Sequence, residues 1–235
     1  MTITYKDNQL KVILTDIEGT TTDISFVHEV LFPYSAKHLS GWVRKHLELQ
    51  TVQDILEQVR EITGESNLDL EGCLSTLITW QAEDRKITPL KTLQGLIWQE
   101  GYDRGELKAH LYSDAVEFLQ NWYDAGLKLA IYSSGSIAAQ KLLFKNTLAG
   151  DLTSLFSMHF DTTTGSKLES QSYLKIADEL FVLPEEILFL SDSSKELSAA
   201  TSANLNICGL NREDRFVGDN FTYVKTFSEI PLKFS

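Results

Sequence analysis

Hydrophobic and polar positions follow two different patterns along the chain. An apolar, β-branched run from Lys11 to Thr15 (KVILT) ends at a polar turn, which is typical of a buried strand in a parallel sheet. From about residue 23 to residue 111 the spacing instead indicates about four helices and no strand. These are predicted as a helix capped by Ser35 that runs through Trp42 and His46, one from Thr51 to Gly64, one from Leu70 to Trp80, and one from Thr88 to near Gly101. We therefore expect one inserted helical unit.

After Tyr112, predicted helices and strands alternate. The elements are, in order, a helix capped by Ser113 and ended by Gly126, a strand Leu127–Tyr132, a helix Ile137–Lys145, a strand Met158–Asp161, a helix Glu169–Leu180, a strand Ile187–Ser191, a helix Glu196–Ala200 and a strand Leu205–Leu210. Such alternation implies right-handed crossovers. It predicts an α/β fold with a doubly wound, mainly parallel sheet, in which ligands bind at the carboxyl ends of the strands.

Composition narrows the class of protein. The 235 residues can bury a sizeable core, and a formal net charge of -12 argues against non-specific binding to nucleic acid or anionic membranes. Cys73 and Cys208 lie far apart and lack metal-site spacing, which fits a reducing cytosol. No apolar stretch has the length of a signal peptide or a membrane span. We expect a soluble, cytoplasmic protein, and a monomer because no heptad pattern or apolar patch predicts a partner chain.

Polar residues follow three of the predicted strands. Asp16 and Glu18 come after the first strand, Ser133 and Ser134 follow Leu127–Tyr132, and Asp192 follows Ile187–Ser191. Carboxyl ends of parallel strands share one edge of a sheet, so these side chains are expected to meet in one crevice.

The pair Asp16 and Glu18 has two possible readings. Asp16 either forms the turn by bonding its own backbone or serves as a nucleophile or a ligand of a hard cation. Glu18 is a poor turn residue, and its position in the same small loop favours a general acid and base. Gly19 allows the chain to turn tightly behind it. The functional reading of the pair is therefore the stronger one.

The other two strand ends favour an anion and a cation. The run YSSGS lies between a strand and a helix, so its amides and hydroxyls can face an anion, although an ordinary serine-rich cap has the same composition. Lys167 stands after a flexible loop, where its ammonium can reach a phosphate oxygen or simply be solvated. Asp192 is a second strand-end carboxylate, with Glu196 one helical turn beyond it, which suggests a divalent cation.

Several other chemistries are disfavoured. The five histidines lack the spacing of a transition-metal site. No GxxxxGK[ST] or GxGxxG phosphate loop occurs, and no GxSxG nucleophile elbow is present. These absences argue against nucleotide binding by the common loops and against a serine hydrolase.

The ordered segments DIEGT, YSSGS, GSK and FLSD resemble the four motifs of the haloacid-dehalogenase phosphatase superfamily. Longer stretches resemble the enolase-phosphatases of methionine salvage. These stretches are FVHEVLFPY, DRKITPLKTLQGLIW, YSSGSIAAQKLLF and HFDTTTGSKLESQSYLKIA. The resemblance covers nearly the whole chain. The sequence departs from the family pattern at Ser193, where an apolar residue is usual, and at Asn211 to Asp214, where an Arg-Pro-Gly turn is usual.

The resemblance implies a haloacid-dehalogenase-like Rossmannoid core at residues 1–22 plus 112–235 and an all-helical cap at residues 23–111. It implies a magnesium-dependent phosphoric monoester hydrolase of methionine biosynthesis. The substrate would be 2,3-diketo-5-methylthiopentyl-1-phosphate, converted through an enol phosphate and an aspartyl-phosphate enzyme to the acireductone 1,2-dihydroxy-3-keto-5-methylthiopentene and phosphate.

The resemblance also assigns roles to residues. Asp16 would attack the phosphorus, and Mg²⁺ would be held by the Asp16 carboxylate, the Glu18 main-chain carbonyl and Asp192. The phosphate oxygens would be held by Ser133, Ser134 and Lys167. Glu18 would protonate the departing enol oxygen and then take a proton from the hydrolytic water, so it must begin the cycle protonated, with desolvation under the closed cap as the cause.

Two rival functions use the same fold. The first is a magnesium-dependent phosphatase of the same superfamily that acts on another small phosphate ester, such as a sugar or glycolate phosphate. The second is a catalytically silent binding module that keeps the fold and a metal for partner recognition. The combination of Asp16, Glu18, Lys167 and Asp192 argues against the silent module.

Overall fold

The computed structural model describes residues 2–213 and 221–235, and its contacts separate the chain into two units. The core unit contains Met1–Ile24 and Ala109–Ser235, and the helical unit contains Ser25–Lys108. These limits lie two and three residues from those predicted from the sequence. The assignment of the two units as catalytic core and cap stays a prediction.

The core unit is built on a parallel sheet. The strands of the described residues are β1 (Ile3–Tyr5), β2 (Asn8–Gln9), β3 (Val12–Thr15), β4 (Lys128–Tyr132), β5 (Phe156–Phe160), β6 (Ile187–Ser191), β7 (Asn206–Leu210), β8 (Tyr223–Val224) and β9 (Lys233–Phe234). Six of them form one parallel sheet in the order β5-β4-β3-β6-β7-β8. The central strands β3 and β6 are buried along their whole length, as expected of a sheet covered on both faces. The predicted fold class is confirmed.

Eight α-helices complete the two units among the described residues. The helical unit contains α1 (Phe32–Lys45), α2 (Gln50–Thr63), α3 (Leu70–Ala82) and α4 (Thr88–Asp103), and the core unit contains α5 (Ser113–Asp124), α6 (Ile137–Lys145), α7 (Ser170–Leu180) and α8 (Ser194–Ser202). The predicted alternation of helices and strands after Tyr112 is confirmed. Residues 25–108 contain no strand, also as predicted.

Each unit has its own apolar core. In the core unit, Leu14 of β3, Phe189 of β6 and Ile176 of α7 belong to one buried cluster. In the helical unit, Leu39 of α1 and Leu93 of α4 belong to another. The apolar residues of α2 recur at Val52, Ile55, Leu56 and Val59, which is the helical spacing that predicted this element.

Several predicted helix ends are wrong, for tertiary reasons. Ser35 does not cap α1, because a π-helix at Phe26–Leu31 runs directly into this helix and places Ser35 inside it. The serine hydroxyl instead donates to the Phe32 carbonyl at 3.0 Å. Helix α4 continues past Gly101, where a Cβ would lie 2.7 Å from the Tyr34 ring. That glycine therefore allows close packing rather than a helix end. Similarly, Ser113 is the first residue of α5 and not its cap.

A second, small sheet has no counterpart in the sequence prediction. Strands β2, β1 and β9 pair antiparallel, with Ile3 opposite Phe234 near the other end of the chain. Lys6 and Asp7 connect β1 to β2 with positive φ values of 48° and 68°, which glycine or asparagine adopts more readily. The turn and the three short strands are therefore only weakly indicated by the local sequence. None of the described helices has the length and apolar character needed to cross a bilayer.

Candidate active site

The predicted strand ends lie side by side at the carboxyl edge of the sheet. Thr15 of β3 pairs in register with Ile131 of β4 and with Leu190 of β6. One residue later, the Asp16 amide donates to the Leu190 carbonyl at 2.9 Å. Strands β3, β4 and β6 are therefore adjacent and end at the same edge of the sheet. Asp16 and the residues that follow β4 and β6 lie at that edge.

The loop after Asp16 is held by its own backbone. The Ile17 carbonyl accepts the amides of Thr20, Thr21 and Thr22 at 3.2, 2.9 and 3.0 Å, and it also accepts the Thr21 hydroxyl at 3.1 Å. All three threonines are buried, whereas Glu18 is partly exposed. The loop thus fixes the backbone of Glu18 while it leaves part of that residue accessible.

Gly19 brings Asp192 to this loop. Its φ of +70° is left-handed, and its amide donates to the Thr22 carbonyl at 2.8 Å. A Cβ at this position would lie 2.2 Å from Oδ2 of Asp192, so the aspartate carboxylate packs directly on the glycine backbone. The structure therefore places Asp192 beside the loop that carries Glu18, although the two residues lie on different strand ends.

Lys167 joins two carboxylates. Its ammonium lies 2.7 Å from Asp16 Oδ1 and 2.7 Å from Glu196 Oε2, with all three side chains largely buried. Burial alone would lower the pKa of the lysine, but the charges of Asp16 and Glu196 outweigh it and raise that pKa above its usual value. Lys167 therefore remains a cation next to Asp16.

The backbone and two tyrosines position the lysine. Gly165 has a φ of 150°, and a Cβ at this position would lie 2.2 Å from the hydroxyl oxygen of Ser172. Tyr132 donates its hydroxyl to the Gly165 carbonyl at 3.1 Å, and Tyr173 donates to the Lys167 carbonyl at 2.8 Å. The loop predicted to be flexible is thus tied to β4 at Gly165 and to α7 at Lys167 itself.

Glu196 belongs to this cluster, although the sequence analysis noted only its spacing from Asp192 and did not include it among the site residues. It lies on the first turn of α8, and Oε2 accepts the Ser191 hydroxyl at 2.8 Å. Burial raises the pKa of Glu196 to about 7, and the Asp16 carboxylate adds to this shift, while Lys167 and Ser191 oppose it. The available signal was its spacing, four residues after Asp192 at a helix start. Spacing alone did not reveal that the partner would be Lys167.

Ser133 and Ser134 follow β4 at the same edge. Ser133 is buried, and its Oγ accepts the Gly135 amide at 3.1 Å, which leaves the hydroxyl proton to donate elsewhere. Ser136 caps α6, where its Oγ accepts the Ala139 amide at 3.3 Å, and the Ile137 amide donates to Asp161 Oδ2 at 3.1 Å. The helix start therefore already uses two of its amides within the protein.

The oxygen atoms at this edge fit a small hard cation. No cluster of three or more His, Cys, Asp or Glu side chains suited to a metal occurs among residues 2–213 and 221–235. Asp16 and Asp192 instead offer two carboxylates, and Mg²⁺ is commonly held by one or two carboxylates together with water and substrate phosphate. Apart from its ion pair, Asp16 Oδ1 accepts no hydrogen bond from the described residues and is buried. The donor set therefore suits Mg²⁺ better than a transition metal.

The second departure from the family pattern is only partly described. Asn211, Arg212 and Glu213 follow β7, whereas Asp214, the last residue of this segment, lies outside the described residues. Arg212 is largely buried, with 7% of its side chain exposed.

Comparisons with known proteins identify relatives of both sequence and structure. Residues 10–204 match the family described as haloacid dehalogenase-like hydrolase. Enolase-phosphatase E1 of Pseudomonas fluorescens (strain Pf0-1) is 56% identical over 204 residues, or 87% of this chain and 90% of that protein. Enolase-phosphatase E1 of Sulfurihydrogenibium sp. (strain YO3AOP1) is 52% identical over 226 residues, or 95% of this chain and 98% of that protein.

A solved structure is similar to this chain as a whole. The crystal structure of the UTR4 protein of Saccharomyces cerevisiae has a TM-score of 0.80 and 33% sequence identity. The comparison covers 94% of this chain and 99% of that chain. The similarity in sequence and in fold thus extends over nearly the same length.

Proposed function

The chain belongs to the enolase-phosphatase E1 family of haloacid dehalogenase-like hydrolases, and we infer from this that it forms the acireductone of methionine salvage. It converts 2,3-diketo-5-methylthiopentyl-1-phosphate to 1,2-dihydroxy-3-keto-5-methylthiopentene and phosphate. The observation that carries this function is identity of 52% over 95% of the chain and 98% of a named relative. A similarity confined to the superfamily motifs would support only a phosphatase of unstated substrate.

Asp16 is the proposed nucleophile. The diketo phosphate first becomes an enol phosphate, when a proton leaves the carbon that bears the phosphate and a proton reaches the neighbouring carbonyl oxygen. A carboxylate oxygen of Asp16 then attacks the phosphorus of this enol phosphate, and the bond from phosphorus to the substrate oxygen breaks, which leaves an aspartyl-phosphate and an enolate. The ion pair with Lys167 supports this role, because it fixes one oxygen of the carboxylate and places a cation where the phosphoryl group would bind. Burial also removes competing water from the nucleophile.

Glu18 is the proposed acid and base. Its carboxyl proton goes to the departing enolate oxygen, and its carboxylate then takes a proton from the water that attacks the aspartyl-phosphate. That second attack restores the Asp16 carboxylate and releases phosphate. The fixed backbone of the loop and the partial exposure of Glu18 support a residue that reaches substrate and water in turn.

Lys167, Ser133 and Ser134 are the proposed phosphate contacts. The Lys167 ammonium already lies 2.7 Å from the nucleophile, so oxygens of a phosphoryl group bound there come within its reach. The Ser133 hydroxyl proton is not used in its bond with Gly135 and can donate to the same group. Charge that spreads over these oxygens in the transition state is thereby stabilised.

Magnesium is the proposed cofactor. Asp16, Asp192 and the Glu18 main-chain carbonyl would hold it, and the close contact of Asp192 with Gly19 supports this grouping. When bound, the ion supplies positive charge to the phosphate oxygens. The small phosphate ester is the expected partner, and we also propose a cytoplasmic monomer that binds neither nucleic acid nor membrane, in keeping with two buried free cysteines and a net charge of -12.

The substrate assignment can be tested with a small panel of phosphate esters. Phosphate release and the absorbance of the acireductone are followed together, with glycolate phosphate and a sugar phosphate as comparison substrates. With the diketo phosphate, both signals are expected to rise in parallel, with kcat/KM about 100-fold or more above that of the other esters. Faster hydrolysis of a sugar or glycolate phosphate would identify the rival phosphatase. Phosphate release from none of the esters would support the silent binding module.

Removal of one proposed ligand should weaken the binding of Mg²⁺. Calorimetric titration of the substrate-free protein with Mg²⁺ is expected to give an affinity about 10-fold or more lower for Asp192→Asn than for the wild type, because a neutral amide is a weaker ligand than a carboxylate. The matched control is Asp178→Asn, an exposed aspartate of α7. Equal affinity in the wild type and Asp192→Asn would remove Asp192 from the proposed site.

A further inference from the structure

Arg212 makes contacts that none of the roles above explains. It follows β7 at the carboxyl edge of the sheet, next to the strand that precedes Asp192. Its Nε and Nη2 donate to a single acceptor, the Thr20 carbonyl, at 3.2 and 2.9 Å. Thr20 lies in the loop that carries Glu18. Arg212 therefore connects another strand end directly to that loop.

A partly buried carboxylate orients the guanidinium. Nη1 of Arg212 donates to both carboxylate oxygens of Asp114 at 2.9 and 2.7 Å, and Asp114 Oδ2 also accepts the Phe227 amide at 2.8 Å. The guanidinium carbon lies 4.3 Å from the Tyr112 ring centre and 5.1 Å from that of Phe227. Hydrogen bonds thus fix the guanidinium within its own plane, and the two aromatic rings restrict its movement out of that plane.

The same loop has a second attachment at the next residue. The Thr21 carbonyl accepts the Tyr112 amide at 3.0 Å, so two consecutive carbonyls of the loop are tied to the segment around Asp114. Thr20 is joined by one peptide bond to Gly19, whose backbone is in contact with the Asp192 carboxylate. A shift of the Thr20 carbonyl would therefore move both the backbone of Glu18 and the surface against which Asp192 packs.

Stability alone is a weak explanation for this arrangement. The Arg212 side chain is 7% exposed and that of Asp114 is 21% exposed, so forming their ion pair removes much of the hydration of both charges. The attraction between the charges often only offsets that desolvation cost, so such pairs add little net stability compared with apolar side chains. A planar guanidinium that bonds both a carbonyl and a carboxylate does, however, fix the positions of these two groups relative to each other. Misplacement of a catalytic group by about 1 Å can reduce a rate by about 100-fold.

We propose that Arg212, oriented by Asp114, is a positioning residue that holds the Thr20 carbonyl and so sets where the Glu18 carboxyl meets the leaving oxygen. The inference rests on the proposed function, because it assigns Arg212 to the proton transfer made by Glu18. It predicts that loss of the guanidinium contacts with Thr20 and Asp114 slows protonation of the leaving group more than it slows the attack by Asp16.

The test compares two leaving groups in Arg212→Lys. Lysine keeps the positive charge beside Asp114 but cannot bond both the carbonyl and the carboxylate as a planar fork. For the diketo phosphate, kcat is expected to fall about 10-fold to 100-fold, with KM changed less than about threefold. For an aryl phosphate, whose leaving group departs without a proton, the single-turnover rate of Asp16 phosphorylation should fall less than about threefold.

Asp114→Asn is the second variant, because it removes the partner that orients the guanidinium and leaves Arg212 in place. It should show the same difference between the two substrates. Arg44→Lys is the matched control, since Arg44 makes a similar two-pronged pair with Glu71 on the surface of the helical unit. Its turnover of both substrates should equal that of the wild type.

Three results would overturn the inference. Equal losses on both substrates, unchanged turnover in both variants, or failure of Arg212→Lys to fold in thermal unfolding would each assign the pair to stability rather than positioning. Failure of the proposed function is distinguishable, because the wild type would then release no phosphate from the diketo ester.

Discussion

Asp16→Asn is expected to lower phosphate release by at least about 10⁴-fold and to abolish formation of the phosphoenzyme. The amide has nearly the shape of the carboxylate but lacks the negative charge and the nucleophilicity needed to attack phosphorus. Lys167 still has Glu196 at 2.7 Å, so its charge stays paired and the fold should be retained. Acid quenching after reaction with labelled substrate, followed by recovery of the acyl-phosphate, measures the intermediate directly.

Asp178→Asn again provides the control for the Asp16 substitution. This exposed aspartate of α7 should tolerate the same chemical change with unaltered turnover and unaltered phosphoenzyme. Labelled aspartyl-phosphate recovered from Asp16→Asn would exclude Asp16 as the nucleophile. Thermal unfolding of both variants separates a chemical loss from a loss of folded protein.

Glu18→Gln is expected to lower kcat for the diketo phosphate by about 10²-fold to 10⁴-fold, because glutamine can neither give nor take the required proton. Binding of Mg²⁺ in a calorimetric titration should be unchanged, since the proposed ligand is the main-chain carbonyl of this residue. With an aryl phosphate, phosphorylation of Asp16 should continue and the phosphoenzyme should accumulate, because only its hydrolysis then needs the base. Rapid quenching over a single turnover measures this accumulation.

Glu117→Gln, on the exposed surface of α5, is the matched control for Glu18→Gln. It should leave both half-reactions at the wild-type rate. Unchanged phosphate release in Glu18→Gln would contradict the acid and base role. A loss of Mg²⁺ affinity in the same variant would instead indicate that the side chain, and not the main chain, contributes to the cation site.

Helix ends within the helical unit differ in how well they could be predicted from the sequence. In α2 the apolar spacing and Gly64, which has a φ of 75° at the end of the helix, are local features, so the limits were nearly correct. At the start of α1 the same kind of reasoning failed, because the preceding π-helix makes Ser35 an interior residue. Serine has the same local preference for a cap position whether the surrounding chain begins a helix there or continues one. Only the packing around it decides whether the helix begins there.

The site shows a similar division. The strand-end positions of Asp16, Ser133 and Asp192 could be predicted, because a few neighbouring residues with an apolar, β-branched pattern indicate where a strand ends. Their roles in the site stay a prediction. Glu196 was visible as a carboxylate at helical spacing from Asp192, but its pairing with Lys167 was not. The side chain that compensates a buried charge can come from any part of the chain, so local spacing does not identify it.

The sequence by itself determined the α/β class, the inserted helices, the family and the strand-end residues, because hydrophobic periodicity and the motifs are short-range properties. Only the tertiary structure decided the small antiparallel sheet, the Lys167 ion pairs and the contact of Arg212 with Thr20, which joins residues 192 positions apart. Contacts of this range depend on how the strands are ordered in the sheet. A buried polar group must be compensated wherever the fold places it, and that partner is selected by geometry rather than by neighbouring sequence.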